Sequence, residues 1–136
     1  MYCAPEVVSW EKRSRSADIF SLGCVYAEMA TSLDGRSVSD FYDFREAKTK
    51  SGGETHAYHA TLDRVQEWFN ESKTTEARAL YDEVIAPMLD NEPKARPTAP
   101  STSDTVQACL KGCTGEFLPT CAKCYPMQWD PVPDPD

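Results

Sequence analysis

The sequence has no surplus of basic residues and no long apolar run. Lys and Arg number 14 against 22 Asp and Glu, giving a formal net charge of −8. A nucleic-acid partner is disfavoured, because neutralising phosphates requires clustered Lys and Arg. The longest apolar stretch, residues 19–30, is interrupted by Ser21 and Glu28 and is too short to span a bilayer. We therefore expect neither nucleic acid nor a membrane as a partner.

The N-terminal region also lacks the features of a secretory signal. Glu6 precedes the first basic residue, and no apolar segment of the required kind is present. Without an export signal, the six Cys are expected to be reduced thiols or metal ligands. The expected compartment is the cytoplasm or the nucleus.

Hydrophobic periodicity predicts a mainly α-helical protein, and 136 residues suffice for one domain. The apolar segment from about Ala17 to Thr31 predicts a helix buried on most sides, with Ser16 as its N-cap. Residues 32–55 are polar and predicted to be irregular, and no strand is predicted. Further helices are predicted at about residues 57–70, 75–89 and 103–111.

Three short motifs occur in a fixed order along the chain. They read YCAPEV at residues 2–7, SADIFSLGC at residues 16–24 and MLDNEPKARPTA at residues 88–99. Each is weak alone, but the ordered set, separated by amphipathic helices, is a strong signal. Together they resemble the end of the activation segment, the start of the central buried helix and the late arginine motif of eukaryotic-type protein kinases. The resemblance covers residues 1–100, and the segments 32–55 and 62–68 resemble divergent kinases of filamentous fungi.

The resemblance implies the helical C-lobe of the protein kinase-like fold, here truncated. Ala4, Pro5 and Glu6 match the tripeptide that ends the activation segment. Glu6 is then expected to form a buried or half-buried ion pair with Arg96. That pair would tie the activation segment to the last helices.

Four other positions acquire expected roles from the same resemblance. Asp18 would accept hydrogen bonds from the catalytic-loop backbone, although helix capping explains it equally well. Gly23 would let a neighbouring backbone approach. Tyr2 and Cys3 would lie in the loop that contacts a protein substrate, with plain packing as the alternative.

The family transfers the γ-phosphate of ATP to protein hydroxyls with magnesium, and a Ser/Thr type is expected here. Transfer requires a glycine-rich loop, a strand lysine, a catalytic-loop aspartate with its asparagine, and an Asp-Phe-Gly motif. None of these occurs in the 136 residues, and only three residues precede Ala4. We therefore expect no catalytic residue in this chain and no activity or bound cofactor for the chain alone. The expected partner is a protein, or a missing N-terminal kinase part.

The resemblance further implies an incompletely covered central helix. Phe20, Leu22, Val25 and Met29 would normally be covered by an earlier helix and the catalytic loop. Each large side chain left in water forfeits roughly 1.5–3 kcal/mol. Marginal stability or association with another chain is therefore expected.

The C-terminal region carries the other chemical pattern. Cys109, Cys113, Cys121 and Cys124 have a spacing compatible with a tetrahedral zinc site, with free thiols as the alternative. Residues 101–125 are thus predicted to be a helix followed by a Cys-rich tail. Residues 126–136, rich in Pro and Asp, are predicted to be disordered. A short peptide ligand around Trp129 is the alternative there.

Three hypotheses remain open from the sequence. The chain is part of a protein kinase whose preceding residues supply catalysis, or a non-catalytic, pseudokinase-like remnant that acts through protein contacts. The third is a small zinc-dependent module.

Overall fold

The computed structural model describes residues 2–10 and 12–114, without the side chains of Leu110, Cys113 and Thr114. The protein is mainly helical, as predicted. Its helices are α1 (Pro5–Val8), α2 (Arg15–Leu33), α3 (Val38–Phe44), α4 (Leu62–Asn70), α5 (Thr75–Leu80), α6 (Ala86–Met88) and α7 (Ala99–Thr114), and its strands are β1 (Ala47–Lys48) and β2 (Glu54–Thr55). Short 3₁₀ turns occupy Tyr58–Ala60 and Pro93–Ala95, and a π-type segment, Tyr81–Ile85, joins α5 to α6.

The 19-residue helix α2 is the centre of the fold. It contacts α3 on one side and α5, the π-type segment and α6 on another. The predicted helix is confirmed, but it begins earlier, at Arg15. Ser14, in an extended conformation, is the N-cap residue. The prediction that Ser16 caps the helix is wrong, because its hydroxyl donates to the Pro93 carbonyl at 2.6 Å instead.

Residues 32–55 are more ordered than predicted. Ser37 caps α3 by accepting a hydrogen bond from the Asp40 amide, and β1 and β2 pair as a short antiparallel hairpin. The prediction of an irregular segment is therefore wrong. Phe41 anchors the segment, because its fully buried ring packs against Tyr58 and Trp68.

The remaining helices differ from the predictions mainly at their ends. The segment predicted as one helix at 57–70 is interrupted at Thr61, whose φ of −134° is not helical. The helix predicted at 75–89 is present as α5, the π-type segment and α6. Pro87, which lacks the amide for an intrahelical bond, lies just after the π-type segment. α7 extends beyond both predicted ends, so the proposed boundary at residue 100 falls within its first turn.

Candidate functional site

Glu6 and Arg96 form a buried ion pair between the first and third sequence motifs. Nη1 of Arg96 lies 2.7 Å from one carboxylate oxygen of Glu6, and Nη2 lies 3.0 Å from the other. The two residues are only 8% and 7% exposed. This two-pronged contact is the strongest geometry available to an Arg–carboxylate pair.

The same guanidinium also reaches the second motif and the rest of the third. Its Nη1 donates to the Ser16 carbonyl at 3.0 Å, and its Nε donates to the Asp90 carbonyl at 2.8 Å. The cation lies 4.9 Å from the centre of the Phe20 ring, a favourable cation–π distance. One side chain thereby joins all three motifs.

Local structure explains how the pair is presented. Pro5, with its fixed φ, starts α1 and places Glu6 in the first turn. At the other end, the 3₁₀ turn is capped by Glu92, and Arg96 follows it in an extended conformation. The extended backbone directs Arg96 back toward α1.

The pKa of Glu6 is held below its usual range. The main cause is the hydrogen-bonded Arg96 guanidinium, which stabilises the carboxylate form and outweighs the opposing effect of burial. Glu6 is therefore ionised at neutral pH, and the ion pair is formed there.

Gly23 is a point of close approach between α2 and α6. A Cβ at this position would lie 2.9 Å from Cβ of Met88 and 3.1 Å from Cδ2 of Leu89. The resemblance implied an approaching backbone, but the nearest atoms belong to these two side chains. The glycine therefore sets the distance between the two helices.

Asp18 lies at the solvent-exposed start of α2. Its side chain is 63% exposed, and its Oδ1 lies 3.2 Å from Nη2 of Arg13. The described residues, 2–10 and 12–114, include no catalytic loop. Hydrogen bonds from a catalytic-loop backbone to Asp18 therefore stay a prediction.

Tyr2 and Cys3 line a shallow depression on the surface. Its volume is about 240 Å³, and it is formed by Tyr2, Cys3, Ala4, Val7, Arg13, Ala17 and Ser21. Ser21 donates a hydrogen bond to the Tyr2 carbonyl at 2.8 Å. The Tyr2 hydroxyl donates to Glu28 at 2.9 Å, and this hydrogen bond raises the pKa of Tyr2. Both interactions fasten the start of the chain onto α2.

Two buried charged residues were not foreseen from the sequence. Arg45 is almost fully buried, with its guanidinium 3.8 Å from the centre of the Tyr58 ring and 4.9 Å from that of Phe41. Its Nη1 donates to the His56 carbonyl at 2.5 Å, whereas its Nε has no partner. It lies in a segment whose polar composition predicted an irregular structure, so only the adjacent aromatic residues offered a signal.

Asp34 connects the end of α2 to the start of α5. Its carboxylate accepts hydrogen bonds from the amides of Lys73 and Thr74 and from the Thr74 hydroxyl, at 2.8–3.1 Å. Arg36 adds a charge contact, with Nε 2.5 Å from Oδ2 but not aligned as a hydrogen bond. Burial raises the pKa of Asp34, but these interactions outweigh it, so the pKa is lowered overall.

A row of large apolar side chains on α2 faces solvent. Leu22 is 38% exposed, Val25 41%, Met29 56% and Leu33 67%, and their spacing places them on one side of the helix. We call these four residues the α2 strip. Phe20, which was expected to share this lack of cover, is fully buried. That expectation was wrong for Phe20, because the side chain turns inward beneath the Arg96 guanidinium.

The cysteines give no metal site among residues 2–10 and 12–114, where no group of three or more His, Cys, Asp or Glu is placed to hold a metal ion. Cys109 is buried in a cluster with Ile19, Val84 and Met88. The Cys113 side chain, Cys121, Cys124 and the whole of segment 126–136 lie outside the described part. The zinc hypothesis therefore stays a prediction.

In comparisons with known proteins, no family model, curated protein or solved structure matched this chain. In the described part, no helix has both the length and the apolar character needed to cross a membrane. Function is therefore inferred from the residues and contacts of the chain itself.

Proposed function

We propose that this chain is the C-terminal part of the C-lobe of a protein kinase-like domain of the Ser/Thr type. The main support for this proposal is that the Arg96 guanidinium binds the Glu6 carboxylate and the backbone carbonyls of Ser16 and Asp90. Glu6 and Arg96 are 90 positions apart in sequence. The resemblance paired these two positions on motif alone, so their contact supports it.

The exposed side of α2 supports the same proposal. The α2 strip and the carboxylate of Asp18 lie along one side of the helix. In the kinase family this side is covered by an earlier helix and by the catalytic loop. The α2 strip offers an apolar surface against which the earlier helix could pack. The exposed Asp18 carboxylate could accept hydrogen bonds from the backbone amides of the catalytic loop.

In this assignment, the chain supplies the structural base of the lobe and part of the substrate-facing loop. Glu6 and Arg96 hold the end of the activation segment, and Tyr2 and Cys3 lie where a protein substrate would be contacted. The preceding kinase part supplies the groups that bind ATP and magnesium and transfer phosphate. No residue of this chain is assigned a catalytic role.

The test compares the 136-residue chain with the same chain joined to the coding sequence found upstream of Met1 in the transcript. We expect that sequence to encode, in frame, a catalytic-loop aspartate and an Asp-Phe-Gly motif. The joined protein should transfer labelled γ-phosphate from ATP–Mg to a protein acceptor, and the shorter chain should not.

The matched control replaces the upstream catalytic-loop aspartate with asparagine, which should abolish transfer without unfolding the protein. An upstream sequence without these motifs, together with no ATP binding by the longest protein expressed, would contradict the kinase assignment. The α2 strip would then favour the non-catalytic function, in which this surface binds another protein.

A further inference from the structure

Glu28, in α2, accepts hydrogen bonds from two tyrosines that belong to different parts of the chain. The hydroxyl of Tyr2, in the segment before α1, donates to Oε1 of Glu28 at 2.9 Å. The hydroxyl of Tyr58, in the 3₁₀ turn that precedes α4, donates to the same oxygen at 3.3 Å. The two rings lie 5.8 Å apart. Glu28 therefore joins the half-exposed Tyr2 to the fully buried Tyr58.

The buried guanidinium of Arg45 packs on the ring of this same Tyr58. It lies 3.8 Å from the ring centre and donates to the His56 carbonyl, whereas its Nε has no partner. In the described part of the chain, no carboxylate forms an ion pair with it. A buried cation is costly unless an anion offsets its charge. Glu28, bound to the hydroxyl of the ring on which Arg45 packs, is placed to do so.

The charges of Glu28 and Arg45 act on both tyrosines in opposite directions. For Tyr2, the hydrogen bond to Glu28 is the largest of the effects that raise the pKa, with a smaller rise from Cys24, and the Arg45 cation opposes them. For Tyr58, burial raises the pKa most, Arg45 again opposes the rise and Glu28 adds to it. The charge of Arg45 thus influences the Tyr2 hydroxyl, although Arg45 itself is buried.

We propose that Arg45 is a positioning residue for Tyr2 and that it acts through Tyr58 and Glu28. With the cation in place, the Glu28 carboxylate is drawn toward Tyr58 and is shared by the two hydroxyls. Without it, Glu28 binds the Tyr2 hydroxyl more tightly, because one oxygen shared by two donors holds each of them less strongly than a single donor. The position of Tyr2 therefore depends on residues far along the chain.

The regulatory consequence rests on the proposed function, in which Tyr2 lies in the substrate-facing loop. Arg45 directly follows α3, and Tyr58 lies just beyond the hairpin of β1 and β2. A displacement of α3 would then change how the loop meets a protein substrate, although Arg45 touches no substrate itself. α3 is thereby assigned a role in substrate binding.

The test follows Tyr2 by ¹⁹F NMR in the 136-residue chain labelled with 3-fluorotyrosine. The protein has six Tyr, and their signals are assigned with single Tyr→Phe variants. In R45M the Tyr2 signal should shift and its titration midpoint should move to higher pH. In E28Q the midpoint should move to lower pH, because both effects of Glu28 raise the pKa of Tyr2. The signal of Tyr26, which packs near Cys109, should not move in R45M, which verifies the fold.

Two further variants test the path from Arg45 to Tyr2. Y58F keeps the ring but removes the hydroxyl, so the Tyr2 midpoint should rise as in R45M. Y58F alone decides the question if R45M does not fold. In E28Q/R45M the Tyr2 midpoint should equal that of E28Q, because the path is already broken at Glu28.

The matched control is R64M. Arg64 also lies beside an aromatic ring, 5.8 Å from the centre of Phe44, but it pairs with Glu67 at the surface. Its replacement should leave the Tyr2 signal unchanged. An unchanged Tyr2 signal and midpoint in both R45M and Y58F would overturn the proposal. So would an equal effect of R45M with and without Glu28, since the cation would then act on Tyr2 directly.

Activity separates this inference from the proposed function. In the joined kinase, Y58F should change KM for the protein acceptor and leave KM for ATP unaltered. Equal changes in both constants would contradict a role for this path in substrate binding. A joined protein without any transfer activity would contradict the proposed function, while the coupling measured by NMR in the shorter chain would stand.

Discussion

Arg96 is the residue on which the three motifs converge, so its removal should be costly. In R96M the Glu6 carboxylate stays buried without its cation. We expect a loss of ~3–5 kcal/mol in the free energy of unfolding, measured by urea denaturation. The double variant E6L/R96M should lose less than E6L and R96M summed, because no buried charge is left unpaired. Strictly additive losses would argue against a buried pair.

Gly23 tests the close approach of α2 and α6. Helix propensity alone favours Gly23→Ala by up to ~1 kcal/mol. The new Cβ would lie 2.9 Å from Cβ of Met88, so we expect a net destabilisation of ~1–3 kcal/mol by thermal and urea unfolding. Gly112→Ala in α7 is the matched control, because nothing lies within 4 Å of its added Cβ. A stabilised Gly23→Ala protein would refute this explanation.

At the scale of elements, the long periodic helices were predictable and the shorter ones were not. The apolar residues of α2 specify a buried helix whatever their partners are. By contrast, α3 depends on its Ser37 cap and on the burial of Phe41 among rings contributed by residues 58–69. The aromatic residues Phe41, Tyr42 and Phe44 signal that this segment packs against the rest of the protein, but they do not specify where α3 begins or which rings it contacts.

In the candidate site, too, some residues could be predicted from the sequence and others could not. Glu6 and Arg96 follow from motif resemblance, whereas Arg45 and Asp34 are buried by contacts with distant residues. The interruption of the predicted helix 57–70 at Thr61 likewise could not be predicted, because no Gly or Pro is present there. Local sequence identifies residues with a family precedent and misses those whose burial is set by tertiary contacts.

Asp34 should couple the end of α2 to the start of α5. In D34N the amide loses the charge that attracts Arg36 and one oxygen that accepts from residues 73–74. We expect a loss of ~1.5–3 kcal/mol, with the amides of α5 exchanging faster than those of α4 in hydrogen-exchange measurements. Asp63→Asn is the control, since Asp63 is exposed in the first turn of α4, and should change stability by less than ~0.5 kcal/mol. Equal protection of α5 in D34N and the parent chain would contradict this coupling.

For the whole molecule, the lowered pKa values of Glu6 and Asp34 predict acid lability. Their ordinary values are 4.5 and 3.8, and folding lowers both. Their stabilising contribution is therefore complete above these values and is lost as the pH falls through the folded-state pKa of each group. The free energy of unfolding should decline below about pH 5, as measured by urea titrations between pH 7 and pH 3. The decline should be shallower in E6L/R96M, and an identical slope would exclude Glu6 as a source.

The α2 strip predicts how the isolated molecule behaves toward its surroundings. Met29→Lys and Leu33→Lys should change the free energy of unfolding by less than ~0.5 kcal/mol, because both side chains already face water. They should also reduce binding of a hydrophobic dye and lower any self-association seen by light scattering. Ala27→Lys is the matched control on the buried face, where Ala27 is fully covered, and should prevent folding. A large loss of stability in L33K would mean that the chain itself covers the strip.

The hairpin between α3 and α4 has a practical consequence. Gly52, with a φ of +85°, turns the chain at its exposed tip, and the Thr49 hydroxyl bonds with both the amide and the carbonyl of Gly53 just below. The anchors of the segment, Phe41 and Arg45, lie before the strands, and lengthening a loop adds little closure entropy. An epitope or a small fluorescent label inserted next to Ser51, between Lys50 and Gly52, would thus allow the protein to be detected without disturbing its core.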